Sequence, residues 1–115
     1  VMVAAGGIHI DVWDDRVFLL PPFGPLEVAR AVRSLRSWPR LAGVRGEAAS
    51  DIAAFESLVR QVGRLVLDVP EVAELDLNPV VVGTTGVWCV DAKLRLQHAA
   101  PIDTSAAPRL RQLLG

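Results

Sequence analysis

The stretch from Glu74 to Leu96, ELDLNPVVVGTTGVWCVDAKLRL, constrains the fold more than any other part of the chain. Two apolar runs flank the turn Gly83-Thr84-Thr85-Gly86, and each carries, near its outer end, polar residues separated by a single position. Such a pattern predicts two strands, about 75–82 and 87–96, joined as a hairpin. Side chains alternate along a strand, so Asp76 and Asn78 share one face while Leu75, Leu77 and Pro79 take the other. The same rule groups Asp91 with Lys93. If the turn closes symmetrically, opposed residue numbers add to 169, which sets Asn78 against Asp91 and Asp76 against Lys93.

Directly opposed residues hold their Cβ atoms about 4.5–5.5 Å apart, close enough for an amide oxygen and a carboxylate to approach one hard cation. Mg²⁺ needs only one or two protein oxygens when a nucleotide supplies phosphates. Lys93 is then a point charge for those phosphates or for Asp76. A plainer reading also stands: Asp76 and Lys93 pair across the strands on a solvated face, with Asn78 and Asp91 turned to water.

The remaining chain predicts an α+β domain. Of the 115 residues, 51% are hydrophobic and 22% charged, enough for one compact unit. A net charge of -1 with scattered basic residues gives no footprint for nucleic acid or an anionic membrane. No apolar run reaches the length of a membrane span, and the first residues lack the basic region of a signal peptide. The single Cys89 is expected to be a small packed hydrophobe in a reducing compartment, so a cytoplasmic location is expected. The start on an apparent strand at Val1 is expected of a piece of a longer polypeptide.

Val1 to Val3 read as a buried strand, followed by the loop Ala4-Ala5-Gly6-Gly7. A hairpin is predicted from strands at about 8–13 and 16–20, turning at Asp14-Asp15. Gly24-Pro25 opens a helix of about 12 residues with Leu26, Ala29, Val32 and Leu35 as its apolar face, closed by Trp38-Pro39. LAGVRGEAAS is expected to be irregular. Ser50 or Asp51 caps a longer helix whose stripe is Ile52, Phe55, Leu58, Val59, Val62, Leu65 and Val66. From His98 a polar tail follows, with a short helix over 108–114. Strands at both ends with helices between them predict helices packed on one face of a mostly antiparallel sheet.

Three segments carry a family resemblance. The order acid, apolar, Asn-Pro, apolar run, Gly-containing turn, Asp-Ala-Lys resembles the last hairpin of the ATP-grasp domain of ADP-forming acyl-CoA synthetases, relatives of succinyl-CoA synthetase. VMVAAGGIHIDVWDDRVFLLPPF resembles that family's Gly-Gly strand entry and proline-terminated strand, and LAGVRGEAASD its Gly-x-Arg-Gly loop ending in Asp. The resemblance covers residues 1 to about 96. It implies the C-terminal part of an ATP-grasp domain, with Asn78 and Asp91 as ligands of Mg²⁺ bound to ATP or ADP. It also implies a parent ligase that joins a carboxylic acid to CoA, working with further synthetase domains or subunits.

On that resemblance, Lys93, Arg45, Gly6 and Gly7 are expected to contact nucleotide, phosphate or acyl-CoA. The family usually has Gly-x-Gly-Gly where this chain has Ala4-Ala5-Gly6-Gly7, and the Cβ of Ala4 narrows any approach there. Arg45 reads rather more readily as part of a structural ion pair, with Asp51 as a candidate partner, and Asp11 as either a nucleotide-site or subunit-contact acid or a half-exposed strand carboxylate. Neither His9 nor His98 has the context of a phosphohistidine. Trp13, Trp38 and Trp88 read as packing anchors. Two other functions stay open: a regulatory acyl-CoA or nucleotide sensor fused to a protein acetyltransferase, and a non-catalytic scaffold.

Overall fold

The computed structural model describes residues 1–6 and 14–99. Its elements run β1 (Met2–Ala4), β2 (Arg16–Phe18), α1 (Pro25–Ser34), α2 (Trp38–Ala42), α3 (Ile52–Asp68), β3 (Val72–Leu77), β4 (Val80–Val82), β5 (Val87–Cys89) and β6 (Ala92–Leu96). The α+β class and the antiparallel pairing are as expected. Among the described residues, however, the strands form three two-stranded ladders, β1–β2, β3–β6 and β4–β5, and α1 packs on the first of them while α2 and α3 pack on α1.

β2 has a described partner beyond the expected hairpin. Residues 16–18 pair antiparallel with β1, Val3 opposite Val17. The segment 7–13, which includes the expected strand 8–13, lies outside the described residues, as does the expected helix 108–114. Asp15 explains why the chain is held here. Its buried carboxylate, 7% exposed, accepts the backbone N–H groups of Arg36 at 2.7 Å and Ser37 at 2.8 Å. Burial pushes this carboxyl up, but the bonds from Ser37 and Arg36 and the Arg36 charge outweigh it and hold the pKa below its ordinary value.

Helix α1 starts where Glu27 accepts the N–H of Gly24 at 2.9 Å, with Pro25 in the first turn. Its buried face is Val28, Ala31, Val32 and Leu35, whereas Leu26 is exposed. That set, spaced i, i+3, i+4, i+7, replaces the expected stripe through Leu26 and Ala29 as the buried face of a helix that packs on both β2 and α3. Trp38-Pro39 opens a short helix rather than closing the segment, and proline at its second position is compatible with helix geometry. Trp38 is half-buried under the Arg33 guanidinium, 5.0 Å from the ring centre.

The core consists of Val3, Val28, Val32, Leu35 and Val59, with Val17, Leu19, Phe23, Trp38, Leu41 and Phe55 packed on it. Helix α3 lies on α1 through Val59, and its later stripe residues Leu65 and Val66 are exposed. Gly63 lets the helix approach Phe23: a Cβ there would lie 2.4 Å from the ring. No described residue after Gly63 is buried. The hairpin of β3 to β6 therefore stands largely outside the core, and the molecule extends 57 Å along its longest axis.

Candidate functional site

The hairpin has the register that its sequence predicts. Glu74 faces Arg95, Asp76 faces Lys93, Leu77 faces Ala92, and beyond the break Val80 faces Cys89 and Val82 faces Val87. Between the two ladders the chain stays paired: the N–H of Asn78 donates to the carbonyl of Asp91 at 3.0 Å, and that of Val90 to Pro79 at 2.9 Å. Pro79 has no N–H to return, which is why the ladder is interrupted at that point. The Asn78–Pro79 bond is cis.

Alternation also holds along β3. Glu74, Asp76 and Asn78 are exposed, while Leu75 and Leu77 are half-buried. Asn78 thus stands opposite Asp91, both exposed, with Asp76 and Lys93 two positions away on the paired strands. The cross-strand ion pair is not the one anticipated. Glu74 and Arg95 form it at 3.1 Å, lowering the carboxyl pKa and raising that of the guanidinium. Asp76 and Lys93, although opposed, enter no ion pair among the described residues. Arg95 stands directly opposite Glu74 and offers a planar fork suited to a carboxylate, so the two pair.

A pair of hard oxygens on adjacent strands fits an ion that takes its other ligands from water and phosphate. No group of three His, Cys, Asp or Glu residues able to hold a metal exists among the described residues, so a fully protein-ligated centre is not formed there. The donor set of Asn78 and Asp91 suits Mg²⁺ and not a thiolate-seeking metal.

The turn beyond the pair is tied to the helices. The Asp51 carboxylate accepts the N–H of Ala54 at 3.0 Å, capping α3, and with its second oxygen accepts the N–H of Gly86 at 2.7 Å. The Asp51 N–H donates to the carbonyl of Gly83 at 2.6 Å. These bonds from Ala54 and Gly86 hold the Asp51 pKa below its ordinary value. Sequence reasoning finds the cap but not the second bond; the two glycines bounding the turn were the available signal. Gly86 has φ +92°, and a Cβ on Gly83 would lie 2.6 Å from the Trp88 ring.

Several other expectations change. Asp51 is committed to backbone donors and forms no ion pair with Arg45. Arg45 is exposed at φ 56° between Gly43 and Gly46, both with positive φ. Cys89 is exposed rather than packed, its thiol donating to the carbonyl of Asp91 at 3.0 Å, because the hairpin face it occupies has no covering layer among the described residues. Trp88 is likewise 57% exposed and covers the turn glycines, not the core. Gly6 is exposed, with open space where a Cβ would project. His98 is exposed, and Gly7, His9, Asp11 and Trp13 lie outside the described residues.

The sequence profile of the ATP-grasp domain matches residues 1–96. The chain belongs to the ATP-grasp family. It is 38% identical over 96 residues to an ADP-forming acetate–CoA ligase I of Archaeoglobus fulgidus, covering 84% of this chain and 14% of the relative. It is 33% identical over 96 residues to the β subunit of ADP-forming acetate–CoA ligase I of Pyrococcus furiosus, covering 84% and 41%. This ATP-grasp chain thus spans less than half the length of either relative. Among solved structures, it resembles dinucleotide-forming acetyl-coenzyme A synthetase 1 of Ca. Korarchaeum cryptofilum, bound to coenzyme A and Mg-AMPPCP. The TM-score is 0.78 at 29% identity, over 84% of this chain and 45% of the other.

Proposed function

We propose that residues 1–96 form the C-terminal portion of the ATP-grasp domain of an ADP-forming acyl-CoA synthetase, with 97–115 a polar tail. The parent protein interconverts a carboxylic acid, CoA and ATP with acyl-CoA, ADP and phosphate. The observation that carries this reading is the register that sets Asn78 against Asp91 with both side chains exposed. The relatives' names and the nucleotide complex of the structural neighbour support the reaction class.

Asn78 Oδ1 and the Asp91 carboxylate hold the cation. When bound, Mg²⁺ supplies charge neutralisation among the nucleotide phosphates, on which phosphoryl transfer depends along with positioning. The free ammonium of Lys93 adds a second positive charge beside them. Arg45, on its exposed loop, offers a planar fork to a phosphate or acyl-CoA, and Gly6 and Gly7 allow close approach of a ligand to the backbone. The remaining synthetase domains or subunits bring CoA and the phosphohistidine, and the setting is cytoplasmic.

The test is turnover of the full-length protein. Asn78→Ala and Asp91→Ala should each abolish acyl-CoA synthesis while the protein stays folded; retained turnover in both would overturn the reading. The 115-residue chain alone should be inactive and bind Mg·ATP too weakly for calorimetry, and micromolar affinity would contradict that.

A further inference from the structure

We infer that Asp51 is a positioning residue for the Asn78–Asp91 pair, an inference that rests on the metal reading above. The hairpin contributes nothing buried to the core, so its orientation depends on discrete attachments. Its base is fixed by the chain itself, where Val72 N–H donates to Val69 and Gln97 N–H to Glu71. Its tip is fixed by Asp51, which binds both ends of the turn: Gly83 through its own N–H, and Gly86 through its carboxylate. The turn closes on itself by the Gly83 N–H to Gly86 carbonyl bond at 3.0 Å, so what holds one end holds both. Asn78 and Asp91 lie between base and tip.

One carboxylate thus joins the start of α3 to the far end of the strands that carry the metal ligands. Each oxygen has a separate task. Oδ1 caps the helix at Ala54, and Oδ2 holds Gly86. The two tasks are separable by mutation, because asparagine and serine are both good helix caps yet offer a single acceptor oxygen. Asparagine would set an N–H₂ against the Gly86 N–H, and serine would fall short of it.

The experiment uses the full-length protein, with Mn²⁺ plus ADP as the probe, read by electron paramagnetic resonance, and hydrogen exchange at the Gly86 amide as a second readout. Both are measured well below each variant's Tm. Asp51→Asn and Asp51→Ser should keep the Tm near that of the parent, speed exchange at Gly86, and weaken Mn²⁺ binding about 10-fold, as loss of an outer-shell partner does. Faster exchange with parental Mn²⁺ affinity would overturn the inference, as would parental exchange. Asn78→Ala and Asp91→Ala, run in parallel, separate the two claims. If they abolish Mn²⁺ binding and the Asp51 variants do not weaken it, the positioning role alone fails; if they leave binding intact, the metal reading fails and takes this inference with it.

Discussion

The helical body and the hairpin are held together by different forces. In the body, Val28 and Val32 are fully buried and meet β1, β2 and α3 through a shared apolar core. In the hairpin no side chain is buried, and Val90, Leu94 and Leu96 are all more than half exposed. Its order comes from ladder hydrogen bonds and from the ties at Asp51 and at the base. Volume therefore governs the body, and pairing governs the hairpin. The candidate ligands occupy the second region, where residues can change without opening a core.

That difference is broken most severely if the ligands turn out to matter for folding. Asp91→Ala should lower turnover of the full-length protein at least about 100-fold, equivalent to about 2.7 kcal/mol of barrier, with a Tm change of no more than about 2 °C. A large fall in Tm would mean the hairpin is structural in a way its exposure denies.

The converse substitution lies in the body. Val32→Ala removes two methyl groups from a fully buried site and should cost about 2 kcal/mol of stability by denaturant unfolding. Val81→Ala makes the same chemical change at a half-exposed position on β4 and should stay within about 0.5 kcal/mol. Equal losses at both positions would erase the distinction between the regions.

The two regions were also unequally legible in the sequence. Period-two alternation and the near-symmetric GTTG turn suffice for the hairpin register, because a hairpin joins residues that are close in the chain. Helix α3 is equally local, and Asp51 was readable as its cap. The pairing of β2 with β1 was not, since it joins strands separated by an intervening segment and alternation does not say which strands meet. Asp15 looked like a turn residue, and only the position of the link between α1 and α2 shows it to be a buried acceptor. Cys89 and Trp88 carry apolar side chains in an apolar run, but no layer covers that run among the described residues, and composition does not reveal what covers a strand. The register sets Glu74 against Arg95 as well as Asp76 against Lys93, and register alone does not say which of the two opposed pairs forms an ion pair.

Asp15 offers a test through pH. Its folded pKa lies below the ordinary carboxylate value of about 4, so the folded state binds fewer protons than the unfolded one. The stabilisation is present in full above about pH 4 and is lost as pH falls through the lower, folded value. Asp15→Ala should cost about 1–2 kcal/mol near neutrality, leaving Arg36 and Ser37 N–H groups without their acceptor. Chemical unfolding from pH 7 to pH 2 should show the gap between parent and variant closing only below about pH 4. A gap independent of pH would mean the carboxylate charge is irrelevant to the body.

The smallest expected effect belongs to the ion pair on the hairpin. Glu74 and Arg95 meet at 3.1 Å with side chains 71% and 59% exposed, so water screens the pair and two long side chains lose freedom to form it. They sit beside the bulge between Val72 and Glu74, where the ladder shifts register. Arg95→Ala should move the Tm by no more than about 1 °C at low salt, and by nothing measurable at about 1 M, where charges are screened within roughly 3 Å. It should also leave Mn²⁺ affinity unchanged, since Lys93 stands opposite Asp76 and not Glu74. A salt-insensitive loss of stability would show that Arg95 acts by packing its stem across the bulge, and the hairpin would then depend on side-chain volume in at least one place, as the body does.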